Sequence, residues 1–123
     1  MIPIKFNVRT PFHGLVNISG FAYTDDAIPG AMLVVHRPLI YGKQDELSKQ
    51  WVVTDYPSGF GGTYLTCSEN KEDEIKEFRN RVIEEMDNHG WETYNEIIKH
   101  AYKEHHLTPE DHVNDPKDFP IKK

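Results

Sequence analysis

Histidine and carboxylate side chains are concentrated late in the 123-residue chain, where His89, His100, His105, His106 and His112 fall in its last third. Glu96, His100 and Glu104 recur every fourth residue and so share one edge of a helix. Imidazole flanked by carboxylate can hold zinc or another divalent metal, which makes His100 and Glu104 the candidate ligand pair, with His106 or His112 as a further donor. The same edge, with Lys99 and Lys103, also reads as ordinary surface ion pairs, and it contains no His-Glu-x-x-His motif.

A second candidate is the glycine-rich stretch Pro57-Ser58-Gly59-Phe60-Gly61-Gly62-Thr63, since glycines let backbone amides approach a phosphate. It lacks the Gly-Lys-Ser/Thr ending and runs into a β-like segment, so a turn is expected and no cofactor is implied. Ser58 sits in Pro-Ser-Gly-Phe-Gly, which is not a nucleophile elbow, and reads as a turn serine. Cys67 has no base or cation beside it in sequence, so it lacks the means to act as a nucleophile. As the single cysteine it excludes an intrachain disulfide and a cysteine-rich zinc site, which fits a reducing, cytoplasmic setting.

The third candidate is a line of acids. At about 100° per residue, Asp73, Glu77, Asn80, Glu84 and Asp87 fall opposite Ile75, Phe78, Val82 and Met86, so four carboxylates make a ridge on the back of one helix. A row of fixed negative charge can imitate a nucleic-acid backbone and occupy a basic groove on a protein partner; the plainer alternative is a solvated helix face. The charge distribution supports the same emphasis. Five basic and five acidic residues balance over residues 1–66, while nine basic against fifteen acidic over residues 67–123 carry the whole net charge of −6. Direct nucleic-acid binding needs a basic surface and is not expected.

The elements that would position these residues follow from periodicity. Ile2, Ile4, Phe6 and Val8 alternate with polar partners as a strand with one buried face, and residues 15–23 resume a β-like run in which Gly20 marks a bulge. Residues 31–36 read as a central strand buried on both faces, pairing as a hairpin with residues 51–56; residues 63–66 return as the last strand. Asn70 caps a helix that Gly90 ends, and the stripe from Trp91 to Tyr102 forms a second helix, with a short turn at Thr108-Pro109-Glu110-Asp111. The expected fold is α+β, an N-terminal, mostly antiparallel sheet of about five strands followed by a C-terminal helical hairpin. Residues 1–113 form one domain and residues 114–123 a flexible tail pinned only by Phe119 and Ile121. No apolar run is long enough for a membrane span.

His36-Arg37-Pro38, then Trp51-Val52-Val53-Thr54-Asp55-Tyr56-Pro57-Ser58-Gly59, then Asn70-Lys71-Glu72-Asp73-Glu74-Ile75 resembles a pattern in small uncharacterised phage and prophage proteins of bacteria. In that pattern a strand ends in a Thr-x-x-Pro-Ser/Thr-Gly turn and a helix start follows. The resemblance spans residues 36–75 and implies a source more than an activity. Three functions follow as expectations. The first is a non-enzymatic accessory protein that binds and inhibits a host protein, in its sharpest form by anti-CRISPR or anti-restriction activity. The second is a metal-binding protein or small metal-dependent enzyme built on His100 and Glu104. The third is a homodimer joined through exposed aromatics such as Trp51, Tyr56 or Phe60.

Overall fold

The computed structural model describes residues 1–10, 14–39, 47–61 and 68–121. Strands β1 (Ile2–Thr10), β2 (Gly14–Tyr23), β3 (Leu33–His36) and β4 (Val52–Asp55) form one antiparallel sheet in the order β1-β2-β3-β4. The described sheet thus has four strands where about five were expected, the expected strand at residues 63–66 and Cys67 lying outside the described residues. Gly61 and Ser68, on either side of that segment, bridge to Thr54 and Trp51.

The alternation in β1 is realised as a ladder from Ile2↔Ala22 to Thr10↔Gly14 without interruption, so Gly20 is not a bulge. Its lack of a side chain is required by close approach instead. A Cβ there would lie 2.6 Å from Val34 Cγ1 and 3.0 Å from the Val35 carbonyl oxygen. The β-branched run of β3 is buried at every residue, as a strand covered on both faces must be. It pairs with β4 in the expected hairpin.

The pleat sorts apolar residues into two cores. Phe21, Tyr23, Leu33, Val35 and Val53 face the helices and meet Phe78, Val82 and Tyr94. On the other face Phe6, Val8, Ile18, Ala22 and Val34 enclose Tyr56 and Phe119. The chain leaving β4 curls back toward β1, where Arg9 N–H donates to the Gly59 carbonyl at 3.0 Å. Gly59 has φ +70°, and a Cβ would stand 2.6 Å from Val113 Cγ2, so both conformation and space demand glycine.

Helix α1 (Lys71–His89) starts where the capping residue predicts, with Asn70 Oδ1 accepting from Asp73 N–H at 3.0 Å. Its end is a full Schellman motif. Gly90, at φ 68°, donates to the Asp87 carbonyl and Trp91 to the Met86 carbonyl. Trp91 is thereby committed to terminating α1, which is why α2 (Tyr94–Glu104) begins three residues later than the apolar stripe suggests. Thr108 and Asp111 form a reciprocal capping box on the short 3₁₀ turn Pro109–Asp111.

The segment expected as a flexible tail is, through residue 121, laid against the sheet. Phe119 is almost fully buried beside Tyr56, with ring centroids 5.1 Å apart, and Asn114 is buried in hydrogen bonds to β1. Burial of an aromatic and satisfaction of open backbone groups supply the physical reason. Among the described residues, no helix is long and apolar enough to cross a membrane.

Candidate functional site

The acidic ridge is built by anchoring the opposite side of its helix. Phe78 and Val82 of α1 are buried against the sheet, and Arg79 Nε donates to the carboxylate of the buried Asp25. With rotation fixed by these contacts, Asp73, Glu77, Asn80, Glu84 and Asp87 are all exposed along the outer face. The ridge spans about 21 Å from Asp73 to Asp87 at 1.5 Å per residue.

The histidine and carboxylate edge forms differently from its sequence spacing. His100 Nε2 and Glu104 Oε1 lie 2.8 Å apart as an exposed pair one helical turn apart. On the facing helix His89 Nε2 lies 3.2 Å from Glu85 Oε2, and the His89 ring stacks on Trp91 with centroids 4.2 Å apart. Trp91 in turn lies 5.3 Å from His100. The result is a row of Glu85, His89, Trp91, His100 and Glu104 on the wall of a cleft of about 470 Å³ between the helices, with Asp55 and Tyr94 also among its lining.

Glu96 is not part of this row; it accepts from the Glu92 N–H at 3.0 Å and so holds the entry to α2. His105 stacks on Phe60, and His106 adopts φ 56° at the end of α2. Among the described residues, no group of three or more His, Cys, Asp or Glu side chains is placed to hold a metal ion. His100 and Glu104 therefore meet, but without a further ligand among the described residues, and two exposed ligands alone leave a metal weakly held.

Asp55, a residue the local pattern did not single out, is the polar centre beneath the cleft. Its Oδ1 accepts from Tyr94 O–H at 2.9 Å, and its Oδ2 accepts from Ser58 O–H at 2.6 Å and Ser58 N–H at 3.1 Å. Burial pushes the Asp55 carboxyl above its usual range, with the Ser58 and Tyr94 hydrogen bonds opposing the shift. Ser58 Oγ also accepts from Phe60 N–H at 3.2 Å. Because Ser58 is fully buried, its hydroxyl cannot reach a substrate; the group ties a turn to a helix. The sequence signal was an aspartate closing a β-branched run three residues before a serine, the spacing of a side chain that bonds its own turn.

The aromatics proposed for dimerisation divide. Tyr56 is buried and stacked against Phe6, which removes it from any contact surface, because the curl after β4 folds it inward. Phe60 is half-buried between Arg9 and the Tyr102 and His105 rings. Trp51 stays half-exposed beside Phe21, with ring centroids 6.2 Å apart. The described large apolar side chains that are most open to solvent are Leu15 and Met1.

Neither a family model, nor a curated protein, nor a solved structure matches the chain.

Proposed function

We propose that this protein is a non-enzymatic binding protein that inhibits its partner by laying the α1 ridge into a basic groove. The observation that carries the reading is the exposure of Asp73, Glu77, Glu84 and Asp87 together on the outer face of a helix whose inner face is locked. Four charges over about 21 Å average one per roughly 7 Å. That is close to every second phosphate along one strand of duplex DNA, where charges follow at about 3.4 Å. A groove shaped for nucleic acid presents cations to such a row, so the partner class is a nucleic-acid-handling enzyme. The resemblance of residues 36–75 to phage and prophage proteins agrees with a host enzyme as the target, as in anti-CRISPR or anti-restriction activity.

The test replaces Asp73, Glu77, Glu84 and Asp87 with serine together and compares capture of partner from bacterial extract by the two proteins. Circular dichroism establishes that the variant keeps its helices. The native chain is expected to retain a protein that dissociates as salt rises, and the variant to lose it. Equal capture by both would end the reading.

A further inference from the structure

On the helix-bearing face of the sheet, past the start of α1, the strands leave a second recess with a different character. It measures about 370 Å³ and is lined by Lys5, Ser19, Phe21, Arg37 and Trp51 together with Pro3 and other apolar neighbours. The ladder explains the grouping. Pro3 pairs with Phe21 and Lys5 with Ser19, so all four side chains leave the same face, and Trp51 is carried in just before β4.

Two properties set this recess apart on an acidic chain. Among the described residues no carboxylate lines it, whereas two cations do. Arg37 is held at its place by Nε–H donation to the Ser48 carbonyl at 2.5 Å. Two aromatic rings stand next to each other, and a third cation, Lys71 Nζ, lies 4.5 Å from the Phe21 centroid and 5.7 Å from that of Trp51. Lys71 is not among the residues that line the recess.

We propose that this recess binds one nucleotide unit, its base against Phe21 and Trp51 and its phosphate at Lys5 and Arg37. The chemistry selects a ligand that is flat, aromatic and anionic at once: stacking on aromatic rings contributes about 1–3 kcal/mol per base and is tolerant of base identity, and both rings are half-exposed. Cations at the rim attract phosphate. The recess volume lies within the range of small-ligand sites, about 300–1,000 Å³. The net charge of −6 opposes tracking along a duplex, but it does not oppose one unit seated in a locally cationic hollow. A free mononucleotide and a residue of a single strand offer the same chemistry.

The chain has two tryptophans, so Trp91→Phe leaves Trp51 as the sole indole reporter. In that background Trp51 fluorescence is titrated with AMP, with adenosine, and with a short single-stranded oligodeoxyadenylate. Saturable quenching by AMP, or by the oligonucleotide, is expected, and which of them binds tighter identifies the source of the unit. Lys5→Glu and Ser19→Asp, both at exposed positions, are each expected to weaken binding about tenfold. The proposal is overturned if neither AMP nor the oligonucleotide at about 1 mM changes the signal, if adenosine binds as tightly as the tighter phosphate ligand, or if both variants bind like the parent.

Discussion

The side-chain amide of Asn114 takes the place of a neighbouring strand on β1: it accepts from Asn7 N–H at 2.8 Å and donates to the Asn7 carbonyl at 2.7 Å. The same amide donates to the Tyr56 carbonyl at 2.7 Å, and Asn7 Nδ2 returns a bond to the Val113 carbonyl at 3.1 Å. One residue thereby closes an edge that would otherwise present open backbone groups. Further along β1, Pro3 has no N–H to offer and Lys5 places a charge, both of which discourage strand addition there.

Asn114→Ala removes three of these bonds and leaves backbone groups of Asn7 and Tyr56 without a partner. A loss of about 2–3 kcal/mol in urea denaturation is expected. Asn114→Asp keeps the acceptor but points a carboxylate at two carbonyls, so it is expected to be no better than alanine. A variant within about 0.5 kcal/mol of the parent would show that the segment does not hold the edge.

Tyr94→Phe isolates the link between α2 and the turn after β4. It deletes a hydrogen bond to a buried carboxylate, for which about 1.5–3 kcal/mol is expected. The effect carries a pH signature. Burial raises the Asp55 carboxyl above its ordinary 3.8, so its ionisation removes stability as pH rises through the folded value, and the Tyr94 hydroxyl limits that loss. Tyr94→Phe is therefore expected to cost more near neutral pH than near pH 4, read from denaturation midpoints at both. An equal cost would mean that the hydroxyl does not favour the ionised form.

These two contacts show where sequence reading ends. The alternation Ile4, Phe6, Val8 and the caps Asn70 and Gly90 were legible because strand and helix periods and cap chemistry are local properties. The ridge was legible for the same reason, since a helix of known phase places Asp73 and Asp87 opposite Phe78 and Val82. Asn114 and Asn7 are 107 positions apart, and Tyr94 and Asp55 are 39 apart; neither pairing leaves a trace in any local window. In sequence Trp91 reads as part of α2, because its apolarity fits the stripe equally well from a Schellman position, which only the backbone path distinguishes. His100 and Glu104 were correctly placed as neighbours, while their company with His89 and Trp91 depended on the angle between two helices.

His36 gives a direct spectroscopic prediction. Its imidazole is buried, edge-on to Phe6 with centroids 5.2 Å apart, and Nε2 lies 2.6 Å from Thr54 Oγ1. Burial pushes it from the ordinary 6.5 down to about 4. The His36 ring is expected to stay neutral near pH 5 in an NMR titration, and its resonance to be missing from His36→Gln. A depressed base contributes stability that is present above pH 6.5 and lost as pH falls toward 4. A titration with every histidine midpoint above 6 would contradict the burial of this ring.

Glu74 runs in the opposite direction. Lying one turn before Phe78 on the inner face of α1, it is 3% exposed, and Oε2 has no hydrogen-bond partner among the described residues. Burial pushes its carboxyl from 4.5 up to about 7, with the Arg81 charge opposing and the Glu77 charge adding. A raised acid contributes stability that is complete below pH 4.5 and lost as pH rises through about 7. Glu74→Gln, which keeps the shape and removes the titration, is expected to raise stability at about pH 8 by on the order of 1 kcal/mol, less than the full shift because a carboxylate near the surface is partly screened. Near pH 4.5 the two proteins should melt together. A stabilisation of equal size at both pH values would assign the effect to packing, and a loss at about pH 8 would mean that the Arg81 charge and the Ser68 backbone hydrogen bond outweigh burial.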